Sequence, residues 1–190
     1  MRDVMREGYK IVFSGPVGAG KTTAISTLCD GAIINTDSRA SDMTQDRKAY
    51  TTVALDYGVM NLEGGEKIHL YGTPGQERFD FMWEIITNGG LGLILFLDNS
   101  RPGLERDMNF FLHAFQDYLA KVPLIIGITK TDLEPFASNE KYYQILKTIL
   151  ENGRIKIVNE VPPILEVDPR AKNDIKKLVL SLLYLLDPGL

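Results

Sequence analysis

The sequence predicts an α/β fold: a three-layer, doubly wound sheet of six strands, mostly parallel, with one antiparallel strand at its edge. Three observations carry this. Short apolar runs alternate with segments of helical period from end to end. The runs at 91–97 and 124–129 are apolar almost throughout, as strands are when helices cover both faces of a sheet. A GxxxxGK[ST] motif, Gly15 to Thr22, stands between the first apolar run and the first helical segment, so strand, loop and helix follow in the order a phosphate-binding loop requires.

The elements follow in order. Tyr9–Ser14 reads as the first strand and Lys21–Asp30 as the first helix. Gly31 to Thr52 is a long irregular stretch rich in Ser, Thr, Asp and Arg, and a loop of this length in a compact domain is usually functional. Ala54–Leu62 and Lys67–Tyr71 form a hairpin about Gly64-Gly65, which supplies the antiparallel pair. Leu91–Leu97, Leu124–Thr129 and Pro163–Glu166 are the remaining strands. Helical patterns at Gly103–Lys121, Asn139–Asn152 and Ala171–Leu186 separate or follow them, the signature of right-handed parallel crossovers. Such a sheet places its site at the carboxyl ends of its strands.

A chain of 190 residues that is 44% hydrophobic is expected to bury one core, as a single domain over 1–190. No apolar run has the length of a bilayer span, and the charged start, with Arg2, Asp3, Arg6 and Glu7, is unlike a secretory signal. Residue 2 is not the glycine that myristoylation requires, and the last residues offer no cysteine for prenylation. A cytoplasmic protein without lipid anchor is expected. The net charge of −4, with no basic block, disfavours nucleic acid as a partner. The single cysteine, Cys29, reads as a small buried hydrophobe.

The chemistry starts at the phosphate loop. Glycines let backbone N–H groups curl around a polyphosphate at the positive end of a helix, closer than side chains would allow. Gly15, Val17, Gly18, Ala19, Gly20, Lys21, Thr22 and Thr23 are the expected nucleotide contacts. Lys21 would reach the β- and γ-phosphates, and the Thr22 hydroxyl would take one place in the shell of Mg²⁺.

Four further segments resemble a Ras-like small GTPase: Thr51-Thr52-Val53-Ala54-Leu55-Asp56-Tyr57-Gly58, Tyr71-Gly72-Thr73-Pro74-Gly75-Gln76-Glu77-Arg78-Phe79, Thr129-Lys130-Thr131-Asp132 and Val167-Asp168-Pro169-Arg170. LYGTPGQERFDFMW with TTVALDYG is most similar to bacterial Ras-like proteins of the MglA and conservon type. The resemblance implies a small G domain that binds GTP and GDP with Mg²⁺, hydrolyses GTP slowly without help, and signals through switch loops around 37–58 and 72–84. It also implies a Roadblock-type regulatory protein and an effector as partners. It places Thr52, with Thr51 as fallback, at Mg²⁺ and the γ-phosphate, Gly75 at the γ-phosphate, and Gln76 on the attacking water. Thr129, Lys130 and Asp132 would read the base, Asp132 accepting from guanine N1–H and the 2-amino group, which adenine lacks. Asp168, Pro169 and Arg170 would close over it. Arg47 matches an arginine finger supplied within the chain, with Arg39 and Arg78 as weaker candidates.

The pattern is broken in four places. Gly72 stands where the family has a metal-holding aspartate, so Thr22 and Thr52 remain as metal ligands, with Asp37, Asp56 or Asp98 as a borrowed carboxylate. Thr129 replaces an asparagine, and its hydroxyl can make only part of that contact. Pro169 lacks an N–H that the base carbonyl ordinarily meets. Val17 puts bulk beside the hydrolytic water. Two other readings stay open: a nucleotide-dependent scaffold that hardly hydrolyses GTP, and a small-molecule kinase. Phe79, Phe81, Met82 and Trp83 are expected to pack mainly into the core, with one or two facing outward.

Overall fold

The computed structural model describes residues 9–29, 31, 34–35, 55–62, 64–75, 81–135 and 138–187. Its strands are β1 (Tyr9–Ser14), β2 (Ile34–Asn35), β3 (Asp56–Asn61), β4 (Lys67–Gly72), β5 (Gly92–Asp98), β6 (Leu124–Thr129) and β7 (Ile164–Glu166). The helices are α1 (Lys21–Leu28), α2 (Phe81–Thr87), α3 (Leu104–Ala114), α4 (Gln116–Leu119), α5 (Asn139–Gly153) and α6 (Lys172–Leu186). The sheet order is β2-β3-β4-β1-β5-β6-β7. Pairing is parallel from β4 through β7, whereas β3 runs antiparallel to β4 and β2 antiparallel to β3. The α/β class and the mixed sheet are as the sequence predicts. To the six expected strands the structure adds β2, two residues that pair Ile34 with Tyr57 and Asn35 with Asp56 inside the stretch read as irregular. Two residues are too few to carry a period.

Alternation along the central strands divides the core. Ile11, Phe13, Ile94, Phe96 and Ile125 face α1 and α6, packing with Ala24, Ile25, Leu28, Leu178 and Leu182. Val12, Leu93, Leu95, Leu97 and Ile126 point the other way, into a cluster with Met108, Phe111, Leu112 and Leu146 from α3 and α5. The period of two within an unbroken apolar run yields two hydrophobic layers, one on each face. β1 stands in the middle of the order, and β5 and β6 to one side of it are buried along their whole lengths.

Two helical expectations need correction. The single helix read over Gly103–Lys121 is broken at Phe115, whose φ of −102° and ψ of 11° leave the helical region. Phe115 is buried and stacks at 4.8 Å on Trp83, so a tertiary contact overrides the local helical period. Helix α2 is missing from the sequence-based assignment because it is only seven residues long and five of them are aromatic or β-branched rather than strong helix formers. Its Trp83 is core, and Phe111 lies against it at 5.4 Å; Ile85 faces outward at 70% exposure. Phe79 and the side chains of Phe81 and Met82 lie outside the described residues.

Phe96 is fully buried and stacks on Phe13 at 5.7 Å. Phe96→Ala should cost about 3–5 kcal/mol in chemical unfolding, from lost burial plus the cavity left behind.

Candidate nucleotide-binding site

The site lies at the carboxyl ends of β1, β4, β5 and β6, where the chain leaves each strand. At the end of β1 the backbone turns at Gly15 with φ 137°, and a Cβ there would stand 2.2 Å from the Phe96 carbonyl oxygen. Only glycine fits that approach. Gly20, with φ 97°, caps α1 without a side-chain acceptor, so the first amides of the helix face the loop with no capping side chain. A Cβ on Gly20 would lie 2.5 Å from Pro169 Cγ, which ties the loop before α6 to the phosphate loop.

Lys21 is buried, and its ammonium donates to the carbonyls of Gly15 at 2.7 Å and Pro16 at 2.9 Å. Burial pulls its pKa down to about 8, against the opposing attraction of Asp56. Beside it the Thr22 hydroxyl donates to Asp56 Oδ2 at 2.5 Å. Asp56 is itself buried and sits directly across the β3–β4 ladder from Gly72. A Cβ on Gly72 would stand 2.9 Å from Asp56 Cβ and 3.1 Å from Asp56 Oδ2. The carboxylate absent from β4 is therefore supplied by β3, and it occupies the space a side chain at 72 would need. Of the two described carboxylates considered from sequence, Asp56 is the one that Thr22 bonds. Asp37 lies outside the described residues, and Asp98 is engaged elsewhere. Gly75 closes the ring, since a Cβ on it would lie 2.6 Å from the Val17 nitrogen and 2.9 Å from Lys21 Nζ.

The other half of the site is built on β6. Thr129 is fully buried, and its hydroxyl lies 3.1 Å from the Ala19 carbonyl and 3.2 Å from that of Leu97. Sequence reasoning allowed it part of the asparagine's contact; the hydroxyl reaches both the phosphate loop and the end of β5 through one shared proton. Lys130 adopts φ 59° and pairs with Asp98 at 2.6 Å. Burial raises the Asp98 pKa, but hydrogen bonds from Lys130 and Ser100 outweigh it and hold the group below the usual carboxylate value. Asn99, which sequence reasoning missed, donates to the carbonyls of Glu134 at 2.6 Å and Pro135 at 3.1 Å and accepts from Tyr142. Its position after an apolar strand was the available signal.

Asp132 and the 167–171 loop face one another across a cavity of about 320 Å³, lined also by Gly18, Thr23 and Lys130. Arg170 bridges it, with Nη2 3.0 Å from Asp132 and Nε 2.8 Å from Asp168. The structure thus brings together Gly15, Gly18, Ala19, Gly20, Lys21, Thr22, Thr23, Gly75, Thr129, Lys130, Asp132, Asp168, Pro169 and Arg170 at the carboxyl end of the sheet, and Gly18, Ala19, Gly20, Thr23, Lys130, Asp132, Asp168, Pro169 and Arg170 of these line the cavity. Val17 is exposed on its rim, and Arg101, also missed by sequence reasoning, donates to the Val17 carbonyl at 3.3 Å. Gln76, Arg47, Thr51, Thr52, Arg39 and Arg78 lie outside the described residues.

The oxygen donors at the Thr22–Asp56 pair, with a polyphosphate beside them, suit a hard cation such as Mg²⁺, which takes few protein ligands and fills its shell with phosphate and water. Among the described residues no group of three His, Cys, Asp or Glu side chains could hold a metal ion.

Two outcomes follow from this geometry. Phosphate binding favours charged Lys21, so its pKa rises on binding; polyphosphate affinity should be flat below about pH 8 and fall by up to about tenfold per unit above it. Nucleotide titrations from pH 7 to 9.5 check this. Gly72→Asp should weaken nucleotide binding and lower Tm, because two carboxylates would crowd one space, whereas adding Asp56→Ala should recover much of both losses. A double-mutant cycle of Tm and affinity reads the coupling.

Residues 13–179 match the family described as "Conserved hypothetical ATP binding protein". The chain is 32% identical over 139 residues to an uncharacterized protein of Methanocaldococcus jannaschii, covering 72% of this chain and 79% of that one. It is 28% identical over 136 residues to the mutual gliding-motility protein MglA of Myxococcus xanthus, covering 65% of this chain and 68% of MglA. It is 25% identical over 149 residues to the Ras-related protein Rab-13 of Canis lupus familiaris, covering 76% of this chain and 67% of Rab-13. Among the described residues no helix is long and apolar enough to cross a membrane. With a phosphate loop, a buried lysine and a cavity beside them, and with this match across nearly its whole length, the chain belongs to the nucleotide-binding P-loop family of the conserved hypothetical ATP binding proteins.

Proposed function

We propose that the protein is a single-domain guanine-nucleotide switch of the MglA-like kind, which binds GTP with Mg²⁺ and hydrolyses it to GDP and phosphate. One observation carries this reading furthest: the Thr22–Asp56 pair beside buried Lys21, with Gly75 against the phosphate loop. Gly75 lies so close to Val17 and Lys21 that a third phosphate would have to displace its segment from the phosphate loop, and a contact made only with GTP is what a switch needs. Bound Mg²⁺ would neutralise charge on the β- and γ-phosphates. Thr22 and Asp56 would hold it, with Thr52 joining from the first switch loop. Lys21 would carry a proton against the phosphate oxygens, and Gln76 would orient the water that attacks the γ-phosphorus as the bond to GDP breaks. Arg47 would add positive charge on the same oxygens.

At the base, Asp132 would accept from guanine N1–H and the 2-amino group, Lys130 would lie along the base plane, and Thr129 would keep the two loops in register. The similarity to MglA and Rab-13 supports a protein that acts through its switch loops on a Roadblock-type regulator and an effector. The family's description favours ATP instead, and the missing N–H at Pro169 leaves that reading a foothold.

Single-turnover phosphate release with GTP and with ATP decides between them. GTP turnover should exceed ATP turnover, and Gln76→Leu should slow it at least about tenfold. Asp56→Asn should raise the Mg²⁺ concentration needed for half-maximal turnover by about tenfold or more. No release above buffer, with or without a Roadblock-type partner, would leave a binding scaffold.

A further inference from the structure

A 6-oxopurine presents an acceptor at O6 next to a donor at N1, and guanine adds a second donor on its 2-amino group. If Asp132 takes the two donors, the oxygen beside them still needs a hydrogen-bond donor from the protein; left unmet in the cavity, it loses the selectivity that Asp132 provides.

The loop that closes the cavity has no backbone donor to offer. Val167 N–H is spent on the Ile128 carbonyl at 2.9 Å, and Asp168 N–H on Asp174 Oδ2 at 3.1 Å. Residue 169 is proline and has none. Arg170 N–H donates to Asp168 Oδ1 at 2.9 Å, and Ala171 N–H to the Asp168 carbonyl at 2.9 Å. Every amide from 167 to 171 is accounted for. Pro169 cannot shift to free one cheaply: its ring packs on Gly20, and its carbonyl accepts from Thr27 at 2.9 Å.

The donor left on that loop is the Arg170 guanidinium. Asp168 grips it from one side, with Nε at 2.8 and 3.1 Å from its two oxygens and Nη2 at 2.9 Å, which fixes the guanidinium plane. Nη2 also stands 3.0 Å from Asp132, so a cationic donor and the acceptor carboxylate are neighbours at the cavity edge. Nη1 makes no hydrogen bond among the described residues. This pair matches in order the acceptor at O6 and the donor at N1. Adenine presents an amino group at C6, which would set donor against donor.

We infer that Arg170 donates to the purine 6-oxo group and, with Asp132, selects guanine over adenine; the inference rests on the reading of Asp132 as the guanine acceptor. The test is equilibrium binding of GDP, ADP and 2-aminopurine riboside diphosphate, which keeps the 2-amino group but has no 6-oxygen. Arg170→Ala should weaken GDP about tenfold while leaving ADP and the 2-aminopurine nucleotide within about twofold, and Arg170→Gln, which retains an amide donor, should recover part of the loss. An equal loss for all three nucleotides would make Arg170 a structural clamp, and unchanged GDP binding would make it a bystander; either result overturns the inference alone. Wild-type protein that binds ADP as tightly as GDP overturns the guanine reading, and this inference with it.

Discussion

Much of the molecule is arranged around one constraint: the backbone of residues 15–20 must lie bare, with no side chain between it and its surroundings. Three neighbours press on it. The Phe96 carbonyl closes on Gly15, Pro169 closes on Gly20, and Gly75 closes on the Val17 nitrogen. They come from β5, from the loop before α6 and from the end of β4, so the phosphate loop is where a fully buried strand and two peripheral loops meet. Lys21 completes the arrangement from within. A buried ammonium is costly unless its protons find acceptors, and here the carbonyls of Gly15 and Pro16 receive them. The same burial lowers its proton affinity, which links the loop's electrostatics to pH.

The carboxylate at Asp56 fills the space beside Gly72 that a side chain on β4 would take. Opposed residues of an antiparallel pair share one face of the sheet, so a side chain on β3 can occupy the volume that one on β4 would fill. The exchange requires that 72 have no side chain. Gly72 and Asp56 are thus one feature spread over two strands, and the glycine is the condition for the aspartate rather than a defect.

The base end is organised by ties between loops. Thr129 joins β6 to the phosphate loop, Asp98 holds Lys130, Asn99 holds the carbonyls at 134 and 135, and Arg170 connects Asp132 with Asp168. Each tie is short and polar, and the buried ones carry the most energy because an unpaired partner would be stranded away from water. The geometry of this end therefore depends on loops held at several points rather than on any one residue.

Much of this was legible in the chain itself. The phosphate loop, the alternation of apolar runs and the two-sided burial of β5 and β6 follow from local pattern, because periodicity and glycine spacing are properties of adjacent residues. Lys21 and Thr22 are candidates by the same local motif, whereas Asp132 and Arg170 are candidates only through the resemblance to small GTPases. Tertiary structure alone decided the rest. It set Asp56 rather than Asp98 beside Thr22, since strand register is set by pairing between segments; it broke the helix at Phe115, since a ring stacked on Trp83 outweighs local propensity; and it exhausted the amides around Pro169, since their acceptors lie on β6 and α6 or in the turn that the loop makes as it enters α6. Motifs name the atoms that can do chemistry, but which of them are left free to do it depends on contacts made far away in sequence.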